Sequence, residues 1–264
     1  MSSEIHSTAI IGESAILGRN LRIGPYAIIE NGSVLGDGCN IESHSVIKAS
    51  TTLKDNVRVG HFSVVGGDPQ HLSFDTQISS KVIIGANSRL GEGVTVHRSM
   101  YKDGKTEIGP NCFLMGNVHV GHDCSIGSEV ILANASLLGG HVQLSDFVFV
   151  GGGVGIHQFV RVGEGAMLGG MSEISADIAP HVTVVGRNRA CGVNLVGMKR
   201  RKKTKAEMKE IRFLYRAFLM KAGNLRARAT KLLESNNGPQ TNLGREFVQF
   251  FLTGDRNFAR SSSQ

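Results

Sequence analysis

An aliphatic residue recurs at every sixth position through most of this 264-residue chain. The recurrence begins at Ile5 and keeps phase to Val65, resumes over 84–96, and runs again from Ile108 to Ile174. A glycine often follows the aliphatic residue directly, and a small or β-branched residue often lies four places after it. A short fixed period of this kind is typical of a stacked solenoid.

Six residues are enough for one short strand and one turn, so three hexads predict one triangular coil of about 18 residues. The aliphatic residue is expected to face inward and to stack on its equivalents in the neighbouring coils. Glycine suits the corners, where a positive φ is often required. The 34 glycines and the absence of tryptophan agree with a narrow prism. About 24 hexads predict about eight coils with parallel sheets.

The pattern resembles the hexapeptide-repeat family, and the resemblance implies a mainly β fold, the left-handed parallel β-helix. Two interruptions, at 67–83 and 97–107, predict loops, which often carry binding residues. The hexads end near Ile178. We therefore expect a β-helix over residues 1–186 and a small α-helical C-terminal domain over residues 187–264, docked on the end of the prism.

From about residue 200 the period of the apolar residues becomes helical. Thr204 and Glu207 have the spacing of a capping box, and Gly223 is expected to end this helix. Two further helices are predicted over 225–234 and 244–252. The expected packing residues of the last helix are three phenylalanines, Phe247, Phe250 and Phe251.

Cysteine usage and the N-terminus predict a cytoplasmic protein. Cys39, Cys112 and Cys124 occupy the fifth place of a hexad, where other hexads have Ala, Ser or Val, so they are expected in the core. No CxxC occurs, which argues against a disulfide framework and a Cys-rich zinc site. The N-terminus lacks the pattern of a secretory signal, and no apolar run reaches the ~18 residues of a membrane span.

Five of the ten histidines fall on two stripes near the middle of the solenoid. His122, His141 and His157 belong to hexads that start 18 residues apart, which predicts one edge in three successive coils. His97 and His119 form the second stripe. Such a cluster suits two chemistries, zinc binding by three imidazoles and general-base catalysis by one.

The dipeptide His122-Asp123 favours the general base. An adjacent carboxylate holds the ring in one tautomer and stabilises the imidazolium. Gly139-Gly140 lies one coil along the same edge and is expected to offer a backbone N–H to a developing oxyanion. A base, a residue that orients it and an oxyanion donor are the parts that an acyl transfer needs.

Four segments are similar to the UDP-N-acetylglucosamine O-acyltransferase family: NVHVGHDCSIG (117–127), LLGGHV (137–142), IHQF (156–159) and GVNLVGMKRR (192–201). The resemblance covers nearly the whole chain. It implies transfer of an acyl group, commonly (R)-3-hydroxyacyl, from acyl carrier protein to the 3-position of UDP-GlcNAc, the first step of lipid A biosynthesis. It implies no metal and no organic cofactor, because the phosphopantetheine arrives on the carrier protein.

The resemblance also implies roles for individual residues and a homotrimer with active sites between subunits. His122 matches the general base, Asp123 its partner, and Gly140 the donor that faces the thioester oxygen. Acyl-chain length is expected to depend on Gly170 and its neighbours Met167 and Met171. The implied substrate-binding residues are Gln70, His71, Ser73, His97, His119, His141, His157, Gln158, Asn194, Arg200 and Arg201.

Three positions depart from the usual family residues. His71 and Ser73 stand where the family usually has Asp and Lys, and Val196 stands where it usually has Glu. These changes concern the acceptor and leave the base intact. An altered acceptor such as the 3-amino analogue of UDP-GlcNAc, which gives an amide, is therefore one hypothesis, and tolerated variation is the other.

The formal net charge is +7, with a basic run at 199–205. We considered three interpretations of this run: a nucleic-acid patch, a solvated helix entry, and a surface for nucleotide phosphates and the acidic carrier protein. Arg200 and Arg201 favour the last, and the absence of interleaved aromatic residues argues against nucleic acid.

Three alternative functions stay open from the residues alone. The first is a hexapeptide-repeat zinc carbonic anhydrase, and the second is a non-catalytic solenoid scaffold. The third is the N-acyltransferase that acts later in the same pathway, which carries an extra N-terminal domain, whereas here the repeat begins at Ile5.

Overall fold

The hexads build a triangular prism of parallel coils in the computed structural model, which describes residues 2–236 and 238–261. Most hexads form a two-residue strand followed by a turn, and each strand pairs with the strand one coil away, as Ile10 pairs with Ile28. The strands fall into three sheets, one for each side of the prism. We call the turns from first to second, second to third and third to first sheet the first, second and third edges.

The sheets have eleven, nine and eight strands in the described part of the chain. The first comprises Glu4–Ile5, Arg22–Ile23, Asn40–Ile41, Arg58–Val59, Arg89–Leu90, Phe113–Leu114, Ile131–Leu132, Phe149–Val150, Met167–Leu168, Val182–Val185 and Arg189–Val193. The second comprises Ile10–Ile11, Ile28–Ile29, Val46–Ile47, Val64–Gly67, Thr95–His97, His119–Val120, Leu137–Leu138, Gly155–Ile156 and Glu173–Ile174. The third comprises Ile16–Leu17, Val34–Leu35, Thr51–Leu53, Lys81–Ile84, Lys105–Ile108, Ser125–Ile126, Gln143–Leu144 and Arg161–Val162.

The aliphatic residue of each hexad points into the prism, as predicted. Ile29, Leu132 and their equivalents are fully buried from the second coil onward. The three cysteines at the fifth place of their hexads are also buried, which confirms their assignment to the core. Burial raises the pKa of the Cys39 and Cys112 thiols to about 11 and that of Cys124 to about 12.

The outward positions of the strands differ along the prism. In the N-terminal coils the second sheet presents an apolar row in register, and the third sheet presents another beside it. The two rows flank the second edge. The first consists of Ile10, Ile28, Val46 and Val64, and the second of Ile16, Val34 and Ile83, with Thr52 between the last two. Further along, most outward residues of these sheets are polar, beginning at Thr95 and Glu107, with the exposed Leu137 as an exception.

Both interruptions of the repeat emerge at the second edge. The irregular part of the first is 68–80, which we call the first loop; strands Val64–Gly67 and Lys81–Ile84 flank it. The irregular part of the second is 98–104, the second loop, between Thr95–His97 and Lys105–Ile108. The two loops therefore lie one coil apart on the same edge.

The C-terminal end of the prism is closed by an antiparallel hairpin and four helices. Strand Arg189–Val193 pairs with Val182–Val185, a reversal that the hexad pattern does not predict. Helix α1 (Leu195–Arg200) follows, and then come α2 (Lys205–Leu219), α3 (Leu225–Leu233) and α4 (Asn242–Gln249), which continues as a 3-10 turn over Phe250–Leu252. No helix among the described residues is long and apolar enough to cross a membrane.

The helix predictions hold except at two boundaries. The capping box of Thr204 and Glu207 is formed, and the rings of Phe247 and Phe251 are buried against Phe218. Two expectations were wrong: helical structure begins at Leu195 rather than near 200, and α2 ends at Leu219 rather than at Gly223. Asn194 starts the additional helix, because its Oδ1 accepts the Gly197 N–H over 2.9 Å.

Candidate active site

The second edge carries a compact cluster of polar side chains where three successive coils turn. His122 and Asp123 lie in one turn, Gly140 and His141 in the next, and residues 157–159 in the third. Corresponding positions stack because the strands on either side are paired coil to coil. The predicted histidine stripe is therefore assembled in this structure.

His122 and Asp123 form a hydrogen-bonded pair. The Nδ1 atom of His122 lies 2.8 Å from Oδ2 of Asp123, and both side chains are nearly buried, at 12% and 10% exposure. A carboxylate only accepts, so Nδ1 carries a proton, and in the neutral imidazole Nε2 then keeps its lone pair. This is the state that a general base requires.

Residues of the second loop hold the carboxylate of Asp123. The hydroxyl of Ser99 donates to Oδ1, and the N–H of Met100 donates to Oδ2 over 3.1 Å. The backbone N–H of Asp123 donates in turn to Oγ1 of Thr106 over 2.8 Å. The loop thus fixes the group that orients His122, which is a role that sequence reasoning did not assign to it.

His141 lies beside this pair. Its Nε2 is 3.8 Å from Oδ2 of Asp123, and its ring stacks on Phe159 with centroids 4.4 Å apart. Burial lowers the pKa of His141, an effect that Asp123 opposes. His122, Asp123 and His141 offer ligand atoms within 4.8 Å of one another. Of these atoms, Nδ1 of His122 and Oδ2 of Asp123 are hydrogen-bonded to each other.

Gly140 lies directly against the His122 ring. A Cβ added at Gly140 would come within 2.6 Å of Nε2 and Cε1 of His122, so a side chain there would displace the base. Within the described chain, the Gly140 N–H has no acceptor, whereas its carbonyl accepts from Phe159. The N–H is therefore free for an oxygen next to Nε2.

His97 and His119 form a second pair, on the second sheet rather than in a turn. Their ring centroids are 5.0 Å apart. Nδ1 of His97 donates to the carbonyl of Asp68 over 2.6 Å, which leaves Nε2 as a buried acceptor with no partner in the residues described. Nδ1 of His119 bonds to Oγ1 of Thr95, and burial lowers the pKa of His119. An unpaired buried acceptor is a feature of a ligand site.

Arg98 holds the first loop in place. Its guanidinium donates to Oδ1 of Asp68 over 2.8 Å, to the Thr76 carbonyl over 3.0 Å, and also to the Ile78 carbonyl. The loop residues predicted to bind substrate, Gln70, His71 and Ser73, are exposed. The Ser73 N–H donates to Nδ1 of His71, which shapes the tip of the loop.

The remaining predicted residues lie apart from this cluster. Arg200, Arg201 and Met167 line a cavity of about 630 Å³ between α1 and the first sheet. The guanidinium of Arg201 lies over the ring of Phe147. Burial lowers the pKa of Arg201. The side-chain oxygen of Asn194 accepts in the helix cap, and Nδ2 donates one of its two hydrogens to the Gly165 carbonyl, so one further donor remains.

Gly170 and Met171 lie on the first edge, where a Cβ at Gly153 would collide with the Met171 sulfur. One chain thus places the predicted site residues at three separate positions: the second edge with its loops, the cavity beside α1, and the first edge.

Two family signatures match this chain. The one described as UDP N-acetylglucosamine O-acyltransferase domain 2 matches residues 177–259, and the bacterial transferase hexapeptide signature matches 14–49 and 105–140. A curated acyl-[acyl-carrier-protein]--UDP-N-acetylglucosamine O-acyltransferase from Campylobacter lari is 40% identical over 89% of each chain. A solved UDP-N-acetylglucosamine acyltransferase from Campylobacter jejuni is 37% identical, with a TM-score of 0.90 over 97% of this chain and 99% of that one.

This chain belongs to the UDP-N-acetylglucosamine O-acyltransferase family. Its prism is accordingly a left-handed parallel β-helix, as the resemblance implied. A second solved family member, from Acinetobacter baumannii, is 33% identical over 97% of this chain, with a TM-score of 0.88. The family assignment does not favour the carbonic anhydrase or the scaffold.

Sequence reasoning missed Ser99, Thr106 and Arg98 as partners of the site. Each makes a hydrogen bond to a residue 17 to 30 positions away in the sequence. The hexad count does not predict these bonds. One signal in the sequence pointed to two of these partners: Arg98 and Ser99 directly follow His97.

Proposed function

We propose that this protein transfers an acyl group from acyl carrier protein to the 3-position of UDP-GlcNAc, as the opening step of lipid A biosynthesis. The observation that carries the proposal is the His122–Asp123 pair with the free Gly140 N–H beside Nε2. The names of the related proteins supply the donor and the acceptor.

In the reaction, Nε2 of His122 takes the proton of the sugar 3-hydroxyl as its oxygen attacks the thioester carbon. The oxyanion of the tetrahedral intermediate accepts a hydrogen bond from the Gly140 N–H. Collapse breaks the C–S bond, and the phosphopantetheine thiolate leaves with the proton from the imidazolium. Asp123, held by Ser99 and Met100, stabilises that imidazolium.

The acceptor sugar lies between the first loop and the second sheet in this proposal. The unpaired Nε2 of His97 is a suitable acceptor for a substrate hydroxyl, and His119 lies beside it. The exposed tip with Gln70, His71 and Ser73 covers the sugar, His141, His157 and Gln158 line the acyl side, and Asn194, Arg200 and Arg201 face the nucleotide. The β-helix over 1–186 and the helical domain over 187–264 act as one cytoplasmic enzyme without a cofactor.

We further propose a homotrimer with the sites between subunits. The two apolar rows of the N-terminal coils flank the second edge, so a neighbouring subunit that covers them lies alongside the edge that carries His122. Ile10 and Ile16 are 62% and 63% exposed in the single chain, which favours such burial. A neighbour also brings its own Arg200, Arg201, Gly170 and Met171 toward the cluster, which one chain cannot do.

Transfer from 3-hydroxyacyl carrier proteins of several lengths to UDP-GlcNAc and to its 3-amino analogue tests the function. An ester product, cleaved by hydroxylamine, is expected from the first acceptor, and a resistant amide from the second. Transfer to neither acceptor by an intact trimer contradicts the proposal.

The acceptor preference has its own matched variant. The double substitution His71→Asp and Ser73→Lys restores the usual family residues of the loop tip. If these positions select the amino analogue, the double variant shifts the ratio of kcat/KM toward UDP-GlcNAc. An unchanged ratio means that the two positions tolerate substitution without a change of acceptor.

A further inference from the structure

A side chain from the C-terminal end of the chain contacts the third histidine of the stripe. Nη2 of Arg256 lies 2.8 Å from Nδ1 of His157, and Nη1 of Arg256 donates to the Ser175 carbonyl over 2.8 Å. A guanidinium has only donors and stays charged. Nδ1 of His157 is therefore the acceptor, and the ring carries its proton on Nε2.

Arg256 is held in this position by a segment that we call the C-terminal strap, residues 255–261. Its backbone pairs with Asp177 on the last coil, through the Asn257 carbonyl and the Ala259 N–H, at 2.8 and 2.9 Å. The Arg260 carbonyl accepts from the Ala190 N–H over 2.9 Å. The strap thus fixes the backbone that directly follows Arg256, whose side chain is half-buried.

One other group reaches Nδ1 of His157: the Gln158 carbonyl lies 3.4 Å away, farther than Nη2 of Arg256 at 2.8 Å. The same hollow is lined by His119, Glu173 and Arg187, and Glu173 faces Arg187 at 3.9 Å with both side chains largely exposed. None of these three is hydrogen-bonded to His157 in the described chain, and its Nε2 has no partner there either. Nε2–H is thus the ring position left for a ligand.

We infer that Arg256 is a positioning residue for the acyl-transfer site, which fixes His157 in the Nε2–H tautomer so that the ring meets the substrate as a hydrogen-bond donor. The identity of the substrate rests on the proposed function, whereas the tautomer rests on the contacts alone. In this state His157 donates to an oxygen of the substrate and leaves His122 as the base.

The test compares Arg256→Met, which removes the donors, with Arg256→Lys, which keeps one ammonium. Arg260→Met is the matched control, because it removes an arginine of the same strap that donates to the Gly223 carbonyl and not to a histidine. Ring nitrogens are observed by long-range ¹⁵N–¹H correlation in the intact protein with labelled histidine, and His157→Gln assigns the signals. Thermal denaturation and molecular mass establish that each variant is folded and assembled.

The wild type and Arg260→Met are expected to show the Nε2–H tautomer, and Arg256→Met a mixture. Loss of a charged hydrogen bond predicts a fall in kcat/KM of about tenfold in Arg256→Met, partly rescued in Arg256→Lys. In a His157→Gln background, Arg256→Met should add no further loss, since the two residues act through one contact.

An Nδ1–H tautomer in the wild type, or an unchanged tautomer in Arg256→Met, overturns the inference. Equal kinetic losses in Arg256→Met and Arg260→Met also overturn it, because they indicate a structural role of the strap. If the wild type shows the expected tautomer and transfers no acyl group, the proposed function fails while the assignment of the tautomer is supported.

Discussion

The N-terminal coils and the central coils of the prism have the same interior and different exteriors. Both stack fully buried aliphatic residues such as Ile29 and Leu132. On the second and third sheets, the outward positions of the N-terminal coils are mostly apolar, as at Ile28 and Val34, whereas those of the central coils include His119 and Ser125. The repeat constrains the inward aliphatic residue of each hexad and leaves the outward residues free, so one fold can present different surfaces to the proposed subunit interface and to the proposed reaction site.

The edges of the two regions also share a feature that is easily misread. Tyr26, His44 and Phe62 stack on the first edge with centroids 5.2 Å apart, and each has a positive φ. His141 and Phe159 stack at positive φ on the second edge, beside the base. Because aromatic residues with positive φ occur in both regions, this strained conformation belongs to the coil geometry and does not by itself mark the reaction site.

The largest expected effect comes from removing the base in the central region. His122→Ala should lower kcat by ~10³-fold, because it removes the imidazole proposed to act as the general base. Initial rates of acyl transfer measure this. The control in the N-terminal region is His44→Asn, which tolerates the positive φ. A comparable loss of activity in His44→Asn would contradict the assignment of the chemistry to the central coils alone.

A charge in an apolar row tests the assembly role of the N-terminal coils. Val46→Asp places a carboxylate in the row of the second sheet, where burial against a neighbour costs several kcal/mol per subunit. We expect monomers by light scattering and a loss of transfer that follows the loss of trimer. Arg58→Asp alters the exposed row of the first sheet at a nearby level and should stay assembled. If the Val46→Asp variant still forms trimers, the subunit interface does not include this row.

Ser99→Ala tests whether the second loop contributes to chemistry through Asp123. Loss of a hydrogen bond to a carboxylate should reduce kcat about tenfold with little change in KM, because the bond orients the base and does not touch the sugar. Ser125, an exposed serine on the third sheet, provides the control Ser125→Ala. If Ser99→Ala keeps full activity, the second loop does not contribute to the chemistry and only connects two strands.

The smallest expected effect concerns a buried histidine outside the stripe. Burial, with Arg201 and Lys203 nearby, lowers the pKa of His181 from 6.5 to about 3. The unfolded chain therefore binds a proton that the folded chain does not as pH falls from 6.5 toward 3. The free energy of unfolding should drop by up to ~1.4 kcal/mol per pH unit in this window.

His181→Asn keeps a residue that accepts the positive φ at this position. Its Tm should decrease less than that of the wild type between pH 7.5 and pH 5, at equal protein concentration. Identical pH dependence of the two proteins would mean that other groups control acid stability.

The interior of the prism and the stacking of His122 on Gly140 could be predicted because both depend on counting residues along a regular repeat, whereas the pairing of His122 with Asp123 followed from their adjacency in the chain. Positions 18 residues apart must stack, so His122, Gly140 and Gln158 fall in one column. The hairpin at Arg189–Val193 and helix α1 lie beyond the last hexad, where the count gives no information.

Contacts made by insertions and by the C-terminus could not be predicted either. Ser99 reaches Asp123 because the second loop folds back over the edge, and Arg256 reaches His157 across 99 residues of chain. Nor does periodicity show that α1 forms a cavity over Met167, whereas Met171 stays exposed on the first edge.

The first coil differs from all the others in having a neighbour on one side only within the described chain. Ile5 is 43% exposed, whereas its equivalents further along are buried. In a stack whose coils contact only adjacent coils, local opening begins at the less covered end. Amide hydrogen exchange should therefore be fastest in the first coil and slow progressively toward the middle. The His122–Asp123 pair then lies in the slowest-exchanging section, because the coils stacked on either side protect it from fraying.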